Sequence, residues 1–143
     1  MKNFMNEALK EAKKAKLENE IPIGAVIVID GKIVARGHNK REKSQNALHH
    51  AEIIAIDKAC RKLKSWRLED ATIYVTLEPC PMCAGAIANA RIKQVVYGAK
   101  DKSSNDNLCE IILSSTRLNH KVETIYQETP ECAQILTDFF RKR

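Results

Sequence analysis

The stretch IPIGAVIVIDGK, residues 21–32, sets the start of the fold. Its almost unbroken apolar run, which ends at Ile29, predicts a β-strand that is buried on both faces. Asp30-Gly31 is a two-residue hairpin signal, so residues 32–37 are expected to return antiparallel to that strand. The sheet is therefore expected to begin with an antiparallel pair.

Helical and strand patterns alternate on either side of this hairpin. Before it, Phe4, Ala8, Ala12 and Ala15 recur at helical spacing and predict a helix over about residues 4–18. After it, the patterns predict a loop over 38–48, a helix over 50–63, a strand over 71–77, a helix over 81–90, a strand over 93–98, a polar loop over 99–108, a short helix over 108–113, a strand over 122–126 and a last helix that begins at Thr129-Pro130. This order predicts one domain over residues 1–143, an α/β protein with three α/β/α layers and a mixed five-stranded sheet.

The composition excludes a membrane-spanning protein and leaves the partner open. The chain has 143 residues, of which 44% are hydrophobic, enough for one packed core. No apolar run approaches the roughly 20 residues of a transmembrane helix. The amphipathic, lysine-rich N-terminus lacks the apolar centre of a secretory signal, so a cytoplasmic location is expected. The net charge of +6 suits nucleic acid, and a solvated lysine-rich surface explains it equally well.

Two of the five cysteines form a pattern with chemical meaning. An odd number of cysteines in a chain expected to be cytoplasmic argues against a disulfide framework. Cys60, Cys109 and Cys132 lie in apolar helical patterns and are expected to be small core residues. Cys80 and Cys83 form a Cys-x-x-Cys pair between a predicted strand and a predicted helix. By itself this pair indicates a redox site or a zinc site equally.

A second motif, His50-Ala51-Glu52, favours zinc. It opens one predicted helix, and Pro79-Cys80-Pro81-Met82-Cys83 opens another. A helix N-terminus stabilises thiolates, which are good zinc ligands, and His50 can supply a third donor. The remaining histidines lie in no ligand-like pairing: His38, His49 and His120. Three protein ligands are typical of a catalytic zinc, which keeps one position for solvent, whereas a structural zinc normally has four.

The spacing of Glu52 constrains how it can reach the same site. Residues two apart on a helix do not share a face, so His50 and Glu52 can serve one site only at the helix end. Two thiolates weaken the Lewis acidity of zinc, and a nearby carboxylate that takes and returns a proton then becomes necessary. The sequence therefore predicts that His50, Cys80 and Cys83 bind one Zn²⁺ ion and that Glu52 is the catalytic residue that moves protons.

The pairing of H-x-E with P-C-x-x-C is the signature of zinc deaminases that act on nucleobases. Over nearly its whole length the chain resembles the bacterial tRNA-specific adenosine deaminases, a branch of the cytidine deaminase superfamily. The matching stretches are residues 21–26, 37–39, 50–52, 70–80, 82–86, 119–123, 131–133 and 138–141. The resemblance implies a cytidine deaminase-like fold, a homodimer, and hydrolytic conversion of the wobble adenosine of an arginine tRNA anticodon to inosine.

The resemblance also implies a set of substrate contacts. Asn39 would contact the extruded base, and Ala51 is expected beside it. Asp101, Asn119 and residues 139–143 would lie along the nucleotides of the tRNA anticodon loop. Independently of the resemblance, a basic end follows two aromatic residues, a combination that suits phosphates and unpaired bases. Phe139 fits the apolar stripe of the last helix, so Phe140 is the better candidate for an exposed, base-stacking ring.

Two departures from the family pattern bear on the substrate. The segment Lys102–Asn107 replaces a loop that is usually rich in glycine and alanine, and His49 stands where the family often has a small residue. His49 could contact the substrate or be an exposed polar residue before a helix, and we favour the second interpretation.

Two other functions stay open. The chain could deaminate a free base or nucleoside such as guanine or cytidine, or it could be a catalytically silent zinc-binding RNA module. Ammonia release by the purified chain distinguishes the silent module from both kinds of enzyme. Comparison of an anticodon stem-loop with free adenosine, guanine and cytidine distinguishes the enzymes from each other.

Overall fold

The computed structural model describes residues 3–102, 107–115, 118 and 120–142. Within these residues, five strands form one mixed sheet in the order β2-β1-β3-β4-β5. The strands are β1 (Gly24–Ile29), β2 (Lys32–His38), β3 (Thr72–Val75), β4 (Gln94–Tyr97) and β5 (Glu123–Tyr126). Strand β1 pairs antiparallel with β2 and β3, whereas β3, β4 and β5 run parallel to one another. The predicted mixed five-stranded sheet is confirmed.

The opening hairpin forms as predicted. Asp30 (φ 51°) and Gly31 (φ 73°) both adopt left-handed backbone conformations, and Ile29 pairs with Lys32 directly beyond the turn. This is the geometry of a two-residue turn whose twist matches that of the strands. The first five residues of β1 are buried, in agreement with a strand covered on both faces. The strand begins at Gly24 rather than at Ile21, because Pro22 has no N–H to donate to a ladder.

Helices cover both faces of the sheet. They are α1 (Phe4–Leu17), α2 (Arg41–Ser44), α3 (Ala51–Leu63), α4 (Pro81–Asn89), α5 (Leu108–Ser114) and α6 (Pro130–Arg141). Helices α1 and α6 pack on one face, where Ala8 and Cys132 join Val26 and Val96 in a buried cluster. Helices α3, α4 and α5 pack on the other face, around a larger cluster that includes Ile73. The three-layer α/β/α architecture is confirmed, and each described helix is too short or too polar to span a lipid bilayer.

Two sequence-based expectations were wrong. The predicted loop over residues 38–48 contains one helical turn, α2, which is too short to produce a hydrophobic period. Its stabilising contacts come from a distant part of the chain. Cys60 is only partly buried, because it lies on the outer side of α3, whereas Cys109 and Cys132 are core residues as expected.

A close backbone contact determines where α3 begins. A Cβ atom at Gly37 in β2 would lie 2.5 Å from the carbonyl oxygen of Ala51 and 2.8 Å from the backbone nitrogen of Ala55. Only a residue without a side chain lets the first turns of α3 approach the sheet this closely. Gly37 thus sets the height of the α3 N-terminus above the sheet.

Candidate metal centre and active site

The N-termini of α3 and α4 meet at one point, as the spacing of the two motifs required. His50 is the N-cap of α3, Cys80 is the N-cap of α4, and Cys83 lies in the first turn of α4. The Nδ1 atom of His50 is 3.6 Å from the sulfur of Cys80 and 3.6 Å from the sulfur of Cys83. Pro81 occupies the first turn of α4, where its missing N–H leaves no helical bond unmade.

The spacing of these donor atoms fits a zinc ion. A tetrahedral zinc with bonds of about 2.0–2.1 Å to nitrogen and about 2.3 Å to sulfur holds the two atom types about 3.6 Å apart. The nitrogen–sulfur separations of 3.6 Å match this value. Among the described residues, the cluster suited to a metal ion consists of His50, Cys80 and Cys83. One nitrogen and two sulfurs form a donor set that suits zinc.

The electrostatics of the cluster favour a cation between the sulfurs. The hydrogen bond between the two thiols lowers the pKa of Cys80 to about 4 and, together with burial, raises the pKa of Cys83. The hydrogen bond with Cys80 also raises the pKa of His50. A cation between the sulfurs would favour the thiolate form of both cysteines, so a bound metal ion would replace the thiol proton.

Glu52 lies at the same helix end, in the first turn of α3. Glu52 is only 4% exposed to solvent. Burial raises the pKa of Glu52 to about 7, and the nearby charge of Cys80 acts in the same direction. The arrangement brings a buried carboxyl beside a three-donor metal cluster, which can support hydrolysis with proton transfer.

A groove of about 1010 Å³ opens at the edge of the sheet where the parallel strands β3 and β4 end. Its lining includes Leu77, which precedes the Cys80 motif, and Asp101, which follows β4. Four cationic side chains also line it: Arg41, Lys100, Lys102 and Arg141. Phe140 lines the groove and is 54% exposed, whereas Phe139 is buried at 6%. Cations and an exposed ring are the groups that bind single-stranded nucleic acid.

The remaining predicted substrate residues lie in different places. Asn39 is buried at 5%, its Nδ2 donates to the carbonyl of Ile21 at 3.5 Å, and its Oδ1 has no hydrogen-bond partner among the described residues. Ala51 is fully buried at the first position of α3. Asn119 lies outside the described residues. Asn39 therefore offers a buried acceptor that a ligand could use, because an unmet buried acceptor costs about 1–3 kcal/mol.

The interpretation of His49 as an exposed residue was wrong. His49 is partly buried because the segment before α3 folds back on itself, with the Lys40 N–H donating to the His49 carbonyl at 3.0 Å. Its Nε2 pairs with the side-chain amide of Asn46 at 3.2 Å. Its Nδ1 is buried without a partner among the described residues.

Sequence reasoning missed several residues that shape this region. Glu78 is 6% exposed, and its Oε1 accepts the backbone N–H of Asp101 at 3.1 Å, which holds the start of the segment that follows β4. A carboxylate at the end of a buried strand was the available signal. Arg41, Lys100 and Lys102 contributed only to the net charge, because their convergence on one groove depends on the fold.

Comparison with known proteins agrees with this geometry. A family model described as MafB19-like deaminase matches residues 1–143. The chain is 50% identical over 141 residues to a tRNA-specific adenosine deaminase of Bacillus subtilis (strain 168), which covers 97% of the chain and 88% of that protein. A solved structure from a study of A-to-I editing by tRNA:A34 deaminases at the wobble position superposes with a TM-score of 0.80 and 40% identity, over 87% of this chain and 96% of that chain. A guanine deaminase of Bacillus subtilis gives a TM-score of 0.68 and 34% identity, over 100% of this chain and 96% of that chain.

Proposed function

Since the chain belongs to the MafB19-like deaminase family and to the tRNA-specific adenosine deaminases, we propose that it converts the wobble adenosine of a tRNA anticodon to inosine. The reaction replaces the exocyclic amine at C6 of adenine by an oxygen from water and releases ammonia. The observation that carries the proposal is the meeting of three metal donors and a buried carboxyl at two helix ends. The higher identity to a tRNA-specific deaminase, 50% against 34% for the guanine deaminase, favours the tRNA substrate.

His50, Cys80 and Cys83 would hold the zinc ion. The support for this assignment is the donor set and the 3.6 Å separation of His50 Nδ1 from each sulfur. When bound, zinc supplies the nucleophile by lowering the pKa of water. The two helix N-termini contribute as well, because their partial positive charge stabilises thiolate ligands.

Glu52 would move the protons of the reaction. A carboxyl in this position can take one proton from the attacking water and deliver it to the ring nitrogen, and then take the second proton from the hydroxyl now on C6 and deliver it to the amine, which leaves as ammonia. Its burial in the first turn of α3 excludes bulk water from the carboxyl. The rigid helix holds the carboxyl at a constant distance from the ligand His50, which precedes it by two residues.

Asn39 and Ala51 would contact the adenosine. The unpartnered Oδ1 of Asn39 is an acceptor for an N–H or O–H group of the nucleoside, while its Nδ2 is held by the Ile21 carbonyl. Ala51 carries a methyl group at the start of α3, and in the sequence it stands between His50 and Glu52. The base must leave its stack to reach such a buried site, which an anticodon loop permits more readily than a duplex.

The groove beside β3 and β4 would bind the neighbouring anticodon nucleotides. Arg41, Lys100, Lys102 and Arg141 can contact phosphates, and the exposed ring of Phe140 can stack on a base. Asp101 lines the same groove, and Asn119 remains a proposed contact from the family resemblance. A tRNA substrate would agree with the cytoplasmic location that the sequence leads us to expect.

A second copy of the chain would cover the outer face of α3 and α4. Ile53, Ile56, Cys60 and Ala86 line a cavity of about 300 Å³ on this face, together with Trp66, which is 56% exposed. Exposed apolar surface of this kind is typical of protein interfaces. The faces of α3 and α4 run back to the helix ends that carry His50 and Cys80, so a homodimer would place its interface close to both metal sites.

Ammonia release from four substrates tests the proposal. The purified chain is incubated with an anticodon stem-loop that has adenosine at the wobble position and, separately, with free adenosine, guanine and cytidine. We expect release from the stem-loop alone. Faster release from guanine or cytidine would establish a deaminase of free bases or nucleosides, and no release from any substrate would indicate a silent zinc-binding module.

The matched control is the same stem-loop with inosine at the wobble position. It keeps every phosphate and every other base, and inosine has no exocyclic amine, so ammonia released from it would not come from the wobble nucleotide. Direct analysis of the product should show inosine at the wobble position of the adenosine stem-loop.

A further inference from the structure

Glu20 is a buried acidic residue that the reaction does not use. It lies between α1 and β1 and is 1% exposed. Its two carboxyl oxygens accept two backbone N–H groups from α2, that of Glu42 at 3.1 Å and that of Lys43 at 2.7 Å. These two bonds cross 22 and 23 residues of sequence and join the start of the sheet to the segment that leads to the metal centre.

The bonds from Glu20 replace a helix cap that α2 lacks. An N-cap side chain normally accepts the N–H of the second or third helical residue. In α2 these residues are Glu42 and Lys43, and the N-cap residue, Lys40, makes no side-chain capping bond. A helix of four residues is also far too short to be stable by itself. Glu20 therefore caps α2 from outside the helix.

The capped turn lies in the middle of the segment that carries site residues. Arg41, the first residue of α2, lines the groove. The N–H of Asn39 donates to the Ile23 carbonyl at 3.2 Å, which places the buried Oδ1 acceptor just before α2. After α2, the bond from Lys40 to His49 closes the segment directly before the ligand His50. Loss of the cap would therefore loosen groups on both sides of the turn.

We propose that Glu20 is a positioning residue for substrate binding, which caps α2 and thereby holds Arg41 and Asn39 in the orientation that receives the RNA. The inference rests on the proposed function for the identity of its substrate. The cap itself is a property of the folded chain and can be measured without any RNA.

Glu20→Gln tests the cap with little change in volume. The amide group of glutamine has one acceptor oxygen, and its NH₂ group would face a backbone N–H, so one bond is lost and two donors oppose each other. We expect amide hydrogen exchange at residues 42 and 43 to accelerate strongly. We also expect KM for the anticodon stem-loop to rise roughly tenfold, the size of effect that loss of a cap produces, with a smaller change in kcat and unchanged metal content.

A second substitution tests whether capping is the reason. Lys40→Asp, added to Glu20→Gln, places an acceptor at the N-cap of α2 itself, and should restore exchange protection and most of the lost kcat/KM. Glu69→Gln is the matched control, because it removes an exposed carboxylate whose partner among the described residues is the equally exposed Arg67. Its exchange rates and KM should equal those of the wild type.

The possible outcomes distinguish three failures: that of the capping interaction, that of its role in substrate binding and that of the proposed function. Wild-type amides at residues 42 and 43 that exchange as fast as an unstructured peptide would overturn the cap, even if Glu20→Gln did not fold. Faster exchange in Glu20→Gln with an unchanged KM would overturn the positioning role. A wild-type chain inactive on the stem-loop would contradict the proposed function. The exchange data would still show whether Glu20 caps α2.

Discussion

At the scale of single residues, Glu52 shows how placement defines a role. It follows the metal-cluster residue His50 by two positions, and the two side chains can serve one site because both lie at the end of α3. Glu52 is 4% exposed, so few water molecules can form hydrogen bonds with its carboxyl group. A glutamate one helical turn later on α3 would not reach the same point.

Replacement of Glu52 by alanine should remove turnover and leave the metal centre intact. Glu52 is not among the three clustered donors, so metal content should stay at the wild-type level. We expect kcat on the anticodon stem-loop to fall by about 10²–10⁴-fold, the usual contribution of a positioned acid or base. Glu69→Ala, at an exposed position, serves as the control, and an active Glu52→Ala chain would exclude this role for Glu52.

The residues of the metal cluster could be predicted because they occupy two short segments with strong local patterns. His50 and Cys80 both stand at helix starts that the sequence marks clearly. Arg41 and Glu78 could not be predicted in the same way. Their roles depend on which loops the sheet brings together, and a single cation or carboxylate in a polar or terminal segment carries no such information.

At the scale of secondary-structure elements, the contact between β2 and α3 positions the cluster. Gly37 lies against the backbone of Ala51 and Ala55, so the sheet and the helix touch without an intervening side chain. The N-terminus of α3 therefore has little freedom to move away from the Cys80 motif on α4. Small changes in this contact should be transmitted to His50 and Glu52.

Gly37→Ala should displace the start of α3. The added Cβ would lie 2.5 Å from a backbone oxygen, and backbone cannot move aside as a flexible side chain can. We expect the free energy of unfolding to fall by about 1–3 kcal/mol and zinc affinity to fall with it. Gly85→Ala is the control for stability, because a Cβ there meets no atom of the described residues within 4 Å apart from the backbone of α4. Equal zinc affinity in Gly37→Ala and wild type would contradict this role for the contact.

A network of charged groups joins α1 to β2. Arg36 in β2 pairs with Glu7 at 2.7 Å and with Glu11 at 3.8 Å, and His38 lies 3.3 Å from Glu11 and 3.0 Å from Glu18. Hydrogen bonds from Lys10 and Arg36 lower the pKa of Glu7 to about 2. Burial acts to raise the pKa of Glu11, and bonds from Lys14 and His38 outweigh it, so that this pKa is also lowered.

Acid should weaken the attachment of α1 to the sheet. A carboxyl whose pKa is lower in the folded chain stabilises that chain above its ordinary pKa of 4.5, and this contribution disappears as the pH falls toward about 2. We expect the urea midpoint to fall between pH 4.5 and pH 3. Arg36→Gln should make this fall shallower. A wild-type midpoint that does not change down to pH 3 would contradict the assignment.

The elements predicted from strong hydrophobic patterns agree with the structure to within a few residues. Helix α2 was not predicted at all, because it lies in a segment expected to be a loop. Helix α1 buries side chains at helical spacing and strand β1 is an almost continuous apolar run, so both patterns are visible in the sequence alone. The single turn of α2 is stabilised by Glu20, which lies more than twenty residues away. Local patterns cannot reveal an element whose cap comes from another part of the chain.

At the scale of the whole molecule, the N-terminal ends of α3 and α4 differ in character from the outer faces of the same helices. The N-terminal ends carry the three residues of the candidate metal cluster, and the outer faces behind them expose apolar side chains, of which Trp66 is the largest. The groove with its cations lies at the edge where the parallel strands end. A dimer through the outer faces would leave this groove open to RNA.

Gly85→Trp should produce a folded monomer. Gly85 lies on α4 and is exposed, and an added Cβ there meets no atom of the described residues within 4 Å apart from the backbone of α4, so the isolated chain should tolerate an indole. In the proposed homodimer the same indole would collide with the partner, because Gly85 lies one helical turn before Asn89, which lines the cavity on the outer face. We expect light scattering after size exclusion to show a dimer for the wild type and a monomer for the variant, with equal far-UV circular dichroism. A monomeric wild type would rule out the homodimer.

The zinc content of the native chain, measured with deamination of the stem-loop before and after chelation, is the most direct test of a catalytic metal centre at His50, Cys80 and Cys83. We expect one zinc ion per chain, loss of inosine formation when zinc is removed, and recovery when zinc is restored. A chain that is metal-free as isolated and deaminates the wobble adenosine equally well with and without zinc would contradict it.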